Sequence, residues 1–239
     1  MFKRNIFSFL FFFLLLSVEM EKKLKDAAEN GRVEKVKEIL RNNPAIDVNK
    51  RSAVYGAWYD SASALHGACA NGHDSVVSLL LAHPDIDVNQ PTRNGRSPFA
   101  LACRSGSSSC VRLLLSDSRV EDLTKSQSYE STPLKAAASR GYLDIIRWWI
   151  ASGREMDLGQ PGDEHSDAIG KAMKEERKEV FYLLEKFKAN PLETRSEVMN
   201  ELGISGMRTI LGMDVALPRI NNKKNFSGRF PCDHSTQAD

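Results

Sequence analysis

From residue 24 onward the apolar positions fall into a two-part pattern that recurs along the chain. A block of small residues ends at a glycine, and a Val/Ile/Leu stripe at helical spacing follows within a few residues. Leu65 to His73, followed by Val76, Val77, Leu79, Leu80 and Leu81, shows it most fully. Further copies are Leu24 to Gly31 with Val33 to Leu40, Phe99 to Gly106 with Cys110 to Leu115, Leu134 to Gly141 with Leu143 to Ile150, and Ile169 to Glu176 with Val180 to Leu184. The marker positions 31, 72, 106, 141 and 176 are separated by 41, 34, 35 and 35 residues, a period of about 33 with one insertion, which is the mark of a repeat architecture. Each copy predicts two short amphipathic helices joined by a tight turn. Small residues on the first helix (Ala27-Ala28, Ala68, Ala102, Ala136-Ala137, Ala172) allow close approach of a neighbour, and the second helix carries the apolar stripe.

Punctuation agrees with that reading. Ser97-Pro98 and Thr132-Pro133 pair an N-cap hydroxyl with a proline whose missing N–H needs no partner at the first helical position. Ser63 supplies the N-cap hydroxyl of the second copy, with Ala64 where the other two carry proline. Between copies, Ile46-Asp47-Val48-Asn49, Asp85 to Asn89 and Asn94-Gly95 supply turn residues for extended, hairpin-like fingers. Lone units of this size cannot bury their apolar stripes, so neighbours must stack, and charged residues on the first copy (Lys22 to Glu38) and the last (Lys171 to Lys188) suit the two ends.

These residues make the chain resemble the ankyrin-repeat family. Its T-P-L-H-x-A signature is approximated at Ala64-Leu65-His66-Gly67-Ala68, at Ser97 to Ala102 and at Thr132 to Ala137, and a nearly complete G-H-x-x-V-V-x-L-L-L stretch runs from Gly72 to Leu81. The resemblance covers residues 22 to about 188. It implies an all-α solenoid of stacked helix-turn-helix units with finger loops, five repeats in number, and a non-enzymatic scaffold that binds a polypeptide through its concave face and fingers. Only His66 keeps the motif histidine; Ala100, Lys135 and Gly170 stand in its place in other copies, and Glu176 replaces the last marker glycine. The family's finger asparagines, sometimes hydroxylated, have counterparts in Asn49 and Asn89, for which a turn role is the expectation.

The domain division expected is a hydrophobic segment at 1–19, a repeat domain at 20–190, a short terminal helix at 191–202 and an irregular tail at 203–239. In the first segment, Lys3 and Arg4 precede Ile6 to Leu16, an apolar run interrupted only by Ser8 and holding five phenylalanines. At about 1.5 Å per residue such a helix covers roughly 16 Å, too little for a bilayer. It reads either as a leader-like segment or as an extension upstream of a start at Met20; Ser17 to Met20 lacks an A-x-A-like cleavage site, and neither reading makes it part of the fold. A cytoplasmic location is expected, with the secretory pathway or a membrane anchored through this segment as the alternative.

Composition then narrows the chemistry. With 33 Lys and Arg against 31 Asp and Glu, well interspersed, no one-signed field exists to hold nucleic acid. Four cysteines without a CxxC and five scattered histidines offer neither a disulfide scaffold nor a metal set. Cys69, Cys103 and Cys110 occupy core positions of the repeat and are expected to be free thiols, which argues mildly against secretion. No nucleotide-binding, hydrolase or EF-hand motif occurs, so no catalytic residue and no cofactor are expected, and a monomer is.

Trp148 and Trp149 align with Leu79 and Leu80 and are expected in the core. The insertion at Lys50 to Asp60 carries Tyr55, Trp58 and Tyr59. Aromatics on a finger either contact a partner or fold back on the first repeats. Candidate partner contacts are therefore Tyr55, Trp58 and Tyr59 together with Asn71, Arg93, Arg96, Arg104, Ser105, Arg140 and Lys174, residues near the marker glycines or on the fingers. With Glu29 and Glu175 in the same rows, their mixed charges suit a polypeptide bearing both signs.

Overall fold

A computed structural model describes residues 17–51, 62–121, 123, 132–158 and 167–204. It contains helices α1 (17–29), α2 (Val33–Asn42), α3 (Ala64–Ala70), α4 (Asp74–Leu81), α5 (Pro98–Ser105), α6 (Ser108–Ser116), α7 (Pro133–Arg140), α8 (Leu143–Ser152), α9 (Ala168–Lys174), α10 (Lys178–Ala189) and α11 (Pro191–Glu201). The first ten form five antiparallel pairs. First helices pack in series, α3 on α5, α5 on α7 and α7 on α9; second helices form a parallel layer in which α2, α4, α6, α8 and α10 follow one another. This is the all-α stack expected of the repeat pattern.

Spacing explains the layering. From α4 onward each second helix turns residues i, i+1 and i+4 inward: Val76, Val77 and Leu80 on α4, Val111 and Leu115 with Cys110 and Leu114 on α6, Ile145, Ile146, Trp149 and Ile150 on α8, Val180, Phe181 and Leu184 on α10; α2 buries Val36 and Ile39. Facing them are the alanines of the first helices, Ala27, Ala68, Ala102, Ala137 and Ala172, each at 1% exposure or less. A methyl side chain lets neighbouring backbones approach so that the larger stripe fills the gap. The alternation of one small-residue helix and one branched-residue helix therefore makes a continuous core.

Local chemistry fixes where helices start and stop. Ser97 Oγ accepts from the Ala100 N–H at 3.2 Å, Thr132 Oγ1 from the Lys135 N–H at 3.4 Å, and Asp167 caps α9 through the Gly170 N–H. Gly106 and Gly141 end α5 and α7 at φ of 82° and 76°, in the left-handed region that glycine enters without strain. The fifth copy keeps the same bend without glycine: Glu176 has φ 54° and is the one non-glycine residue with positive φ among the described residues.

Asparagines join the fingers. Asn49 Nδ2 donates to the Asp85 carbonyl at 2.7 Å and its Oδ1 accepts from the Asp87 N–H at 2.8 Å. Asn89 repeats the arrangement one unit on, with the Arg119 carbonyl at 2.7 Å and the Glu121 N–H at 2.9 Å. The Asn94-Gly95 turn closes with the Thr92 N–H donating to the Arg96 carbonyl and the Gly95 N–H to the Thr92 carbonyl, both at 2.9 Å.

Two expectations change. Residues 17–20 are part of α1, not apart from the fold: Ser17 Oγ donates to Glu21 Oε1 at 3.2 Å, Met20 packs on the core, and Lys50 lies 3.7 Å from the buried Glu21 carboxylate. Trp149 is buried at 1%, but Trp148 is only half-buried, since the adjacent position on a helix points about 100° away. The Arg112 guanidinium covers its ring, 5.3 Å from the centroid.

At the far end, α11 lies against both α8 and α10. Thr194 and Val198 are its buried side chains, and Arg195 Nε donates to the Ala151 carbonyl at 3.2 Å. The helix runs Pro191–Glu201, against the 191–202 span read from the sequence. Among the described residues no helix is long and apolar enough to cross a membrane.

Candidate partner-binding face

The last residues of the first helices form two rows across the stack. One contains Glu29, Ala70, Arg104, Ser139 and Lys174; the other contains Asn30, Asn71, Ser105, Arg140 and Glu175. Each residue holds the same place relative to its marker turn, so a rigid core sets their spacing. Asn71, Ser105, Arg140, Lys174 and Glu175 are exposed, Arg104 is half-buried and Ala70 is buried.

Some of these side chains also tie one repeat to the previous one. Asn71 Nδ2 donates to the Glu29 carbonyl at 3.0 Å, and His73 Nε2 donates to the same oxygen at 2.9 Å. Ser105 Oγ reaches the Cys69 carbonyl at 3.3 Å, and Arg177 Nε reaches the Ser139 carbonyl at 3.2 Å. One carbonyl left open at the ends of α1, α3 and α7 is thus satisfied by a side chain of the next repeat. Arg140 donates to the Ala136 carbonyl of its own helix at 3.3 Å, and Lys174 is exposed at the end of α9. Glu29 is held locally as well: Lys25 Nζ stands 3.5 Å from its carboxylate, and its chain crosses Gly67 so closely that a Cβ there would meet Glu29 Cγ at 2.2 Å.

On the finger between α4 and α5 Arg93 is exposed and Arg96 half-buried, the Arg96 N–H donating to Thr92 Oγ1 at 3.1 Å. Tyr55, Trp58 and Tyr59 lie outside the described residues, so the structure brings together the helix-end candidates and the Arg93–Arg96 finger only. The inter-repeat work of Asn71 and Ser105 was hidden in the sequence, because their partners sit 42 and 36 residues away. The recurrence of polar side chains just before the marker turn is the signal that points to it. Arg119, also missed, reaches the Leu81 carbonyl at 2.6 Å and holds the Asp117 carboxyl below its usual range, chiefly through their side-chain hydrogen bond.

The titratable groups in the interior are structural. His66 is buried; its Nδ1 accepts from the Ser63 N–H at 3.2 Å and lies 2.8 Å from Ser63 Oγ. Burial pushes its imidazole down to about 4, against the opposing pull of the Gln90 and Arg96 backbone. Cys69, Cys103 and Cys110 are buried free thiols. Burial raises all three, Cys110 to about 11, so the reactive thiolate is suppressed. Among the described residues no group of three or more His, Cys, Asp or Glu is placed to hold a metal ion. What the face offers is polar and charged side chains at fixed intervals on a packed frame.

Residues 24–125 match the family model described as ankyrin repeats, in three copies. Among similar proteins, the ankyrin repeat protein YahD of Escherichia coli (strain K12) is 38% identical over 91 residues, 36% of this chain and 44% of that protein. The tyrosine-protein kinase HTK16 of Hydra vulgaris is 29% identical over 142 residues, 59% of this chain and 18% of the kinase. The SMC5-SMC6 complex localization factor protein 1 of Homo sapiens is 35% identical over 98 residues, 41% of this chain and 9% of that protein. The chain thus spans less than half the length of each of these relatives.

Proposed function

Because this chain is an ankyrin-repeat protein, we propose that it is a non-catalytic scaffold that binds a polypeptide partner across the first-helix ends and the fingers. The observation that carries this reading is the pair of side-chain rows. Arg104, Arg140, Lys174 and Glu175 stand at repeating positions outside the core, on a frame held in register by buried alanines and finger asparagines. Interfaces gain affinity when contact groups are already ordered before binding, since less conformational freedom is then lost. Charges of both signs suit a polypeptide carrying both. Asn71, Ser105, Arg93 and Arg96 extend the surface, and the aromatics Tyr55, Trp58 and Tyr59 add an anchor of the kind that dominates interface energetics. Three buried free thiols fit a reducing compartment such as the cytoplasm, where the chain works as a monomer.

Affinity capture with the full chain tests the proposal. Arg140→Glu combined with Lys174→Glu is expected to weaken capture of the partner about tenfold or more, as reversed interface charges do, with the melting temperature unchanged. Capture unaffected by that pair and by Trp58→Ala would remove the assigned face.

A further inference from the structure

The balance of 33 basic against 31 acidic residues conceals how charge is divided between the layers of the stack. Of the side chains that α5, α7 and α9 leave unburied, Arg104, Lys135, Arg140, Lys171 and Lys174 are basic and none is acidic. Helix α3 buries every residue and adds no charge. Near α1 opposite signs meet, Lys25 standing 3.5 Å from Glu29 and Arg32 3.4 Å from Asp26. The far side of the stack is mixed as well: Asp144 and Glu201 flank Arg147 at 3.9 and 3.5 Å, and Lys186 pairs with Glu197. Glu175 and Glu176 border the basic stretch after α9, and the fingers carry both Arg93 and Arg96 and Glu121 and Glu155. The one-signed surface therefore belongs to the three first helices α5, α7 and α9, which pack in series.

We propose that the segment of the partner lying over α5, α7 and α9 is acidic, an extended stretch whose carboxylates meet Arg104, Arg140 and Lys174. This rests on the reading of the face as a polypeptide-binding surface and narrows it: the partner carries both signs as a whole but one sign over these three repeats. Packed helices lie about 8–10 Å apart, and an extended chain advances about 3.3 Å per residue, so an acid at roughly every third position meets each helix end in turn. The packed core keeps the five cations close together, and an acidic segment relieves their mutual repulsion while accepting charge-assisted hydrogen bonds. At physiological ionic strength the screening length is about 8 Å, so the attraction acts on a chain laid on the face and weakens with added salt.

Fluorescence anisotropy of the full chain with a labelled peptide of about twelve residues, Asp at every third position and Gly and Ser between, tests the inference. The counterpart with Lys for Asp is the sign control. The acidic peptide is expected to bind at least about tenfold more tightly than the lysine peptide, and to lose about tenfold in affinity in Arg140→Ala with Lys174→Ala. Lys178→Ala with Lys188→Ala removes the same charge from exposed positions of α10 and is expected to leave binding within about twofold of the parent, since charges farther than a screening length contribute little. Helical circular dichroism is expected to be the same in all three chains. Equal binding of the two peptides, equal losses in the two double variants, or a duplex DNA of matching charge bound as tightly as the acidic peptide would each overturn the proposal. The scaffold reading is judged separately: if Arg140→Glu with Lys174→Glu still weakens capture of the partner, that reading stands even where the acidic peptide fails.

Discussion

His66 and Glu176 show how single residues store or spend stability in this stack. The folded pKa of His66, about 4, lies below the ordinary imidazole value of 6.5. Between those values the unfolded chain binds the proton that the folded chain refuses, so stability is full above pH 6.5 and falls as pH drops through the window. From pH 7 to pH 5 this amounts to about 2 kcal/mol. Chemical denaturation across that range should show the loss in the parent chain and a flatter profile in His66→Gln. Glu176 sits at φ 54°, where a side chain costs about 1 kcal/mol relative to glycine. Glu176→Gly should stabilise the chain by that amount, measured as a higher denaturation midpoint; a lower midpoint would show that the carboxylate compensates the strain. The sequence marked Glu176 as a lost glycine, but it did not reveal that the backbone bend survives, because four glycine-bearing copies of the turn impose the same geometry on the fifth helix pair through packing.

At the scale of elements, helix periodicity was a good guide to pairs and a poorer guide to adjacent residues within a stripe. Trp149 is buried, its ring edge-on to Phe99 with centroids 5.0 Å apart and its Nε1 donating to the Glu155 carbonyl at 3.1 Å. Trp149→Ala should cost about 3–5 kcal/mol. Trp148→Ala, at a half-buried position under Arg112, should cost less than about 2 kcal/mol, since only part of its area leaves water; equal losses in a thermal melt would contradict the assignment of inward and outward faces. The finger asparagines were legible as turn residues, while their function as bridges was not, because both side-chain hydrogen bonds of Asn89 go to a finger some thirty residues later. Asn89→Ala removes both and should cost about 1–3 kcal/mol, with faster amide exchange at Glu121 than in the parent. Likewise the helical state of residues 17–20 escaped the pattern, since the apolar run before them obscures the amphipathic spacing.

For the whole molecule, five repeats, their two layers and the buried thiols could be read from spacing, small residues and turn chemistry. The candidate contact rows could be placed too, because helix-end positions follow from the repeat; which members also clamp the preceding repeat could not, since that depends on how neighbouring units abut. Tyr55, Trp58 and Tyr59 lie outside the described residues and are proposed contacts. The two layers present different residues to a partner: Asn71, Arg140 and Lys174 at the first-helix ends, Ser78 and Arg112 on the outer side of the second helices. A photo-crosslinking amino acid placed at each of these five positions in turn, in the full chain, distinguishes the faces most directly. The account predicts that the captured polypeptide becomes covalently attached from positions 71, 140 and 174 and not from 78 or 112, whereas attachment confined to 78 and 112 would contradict it.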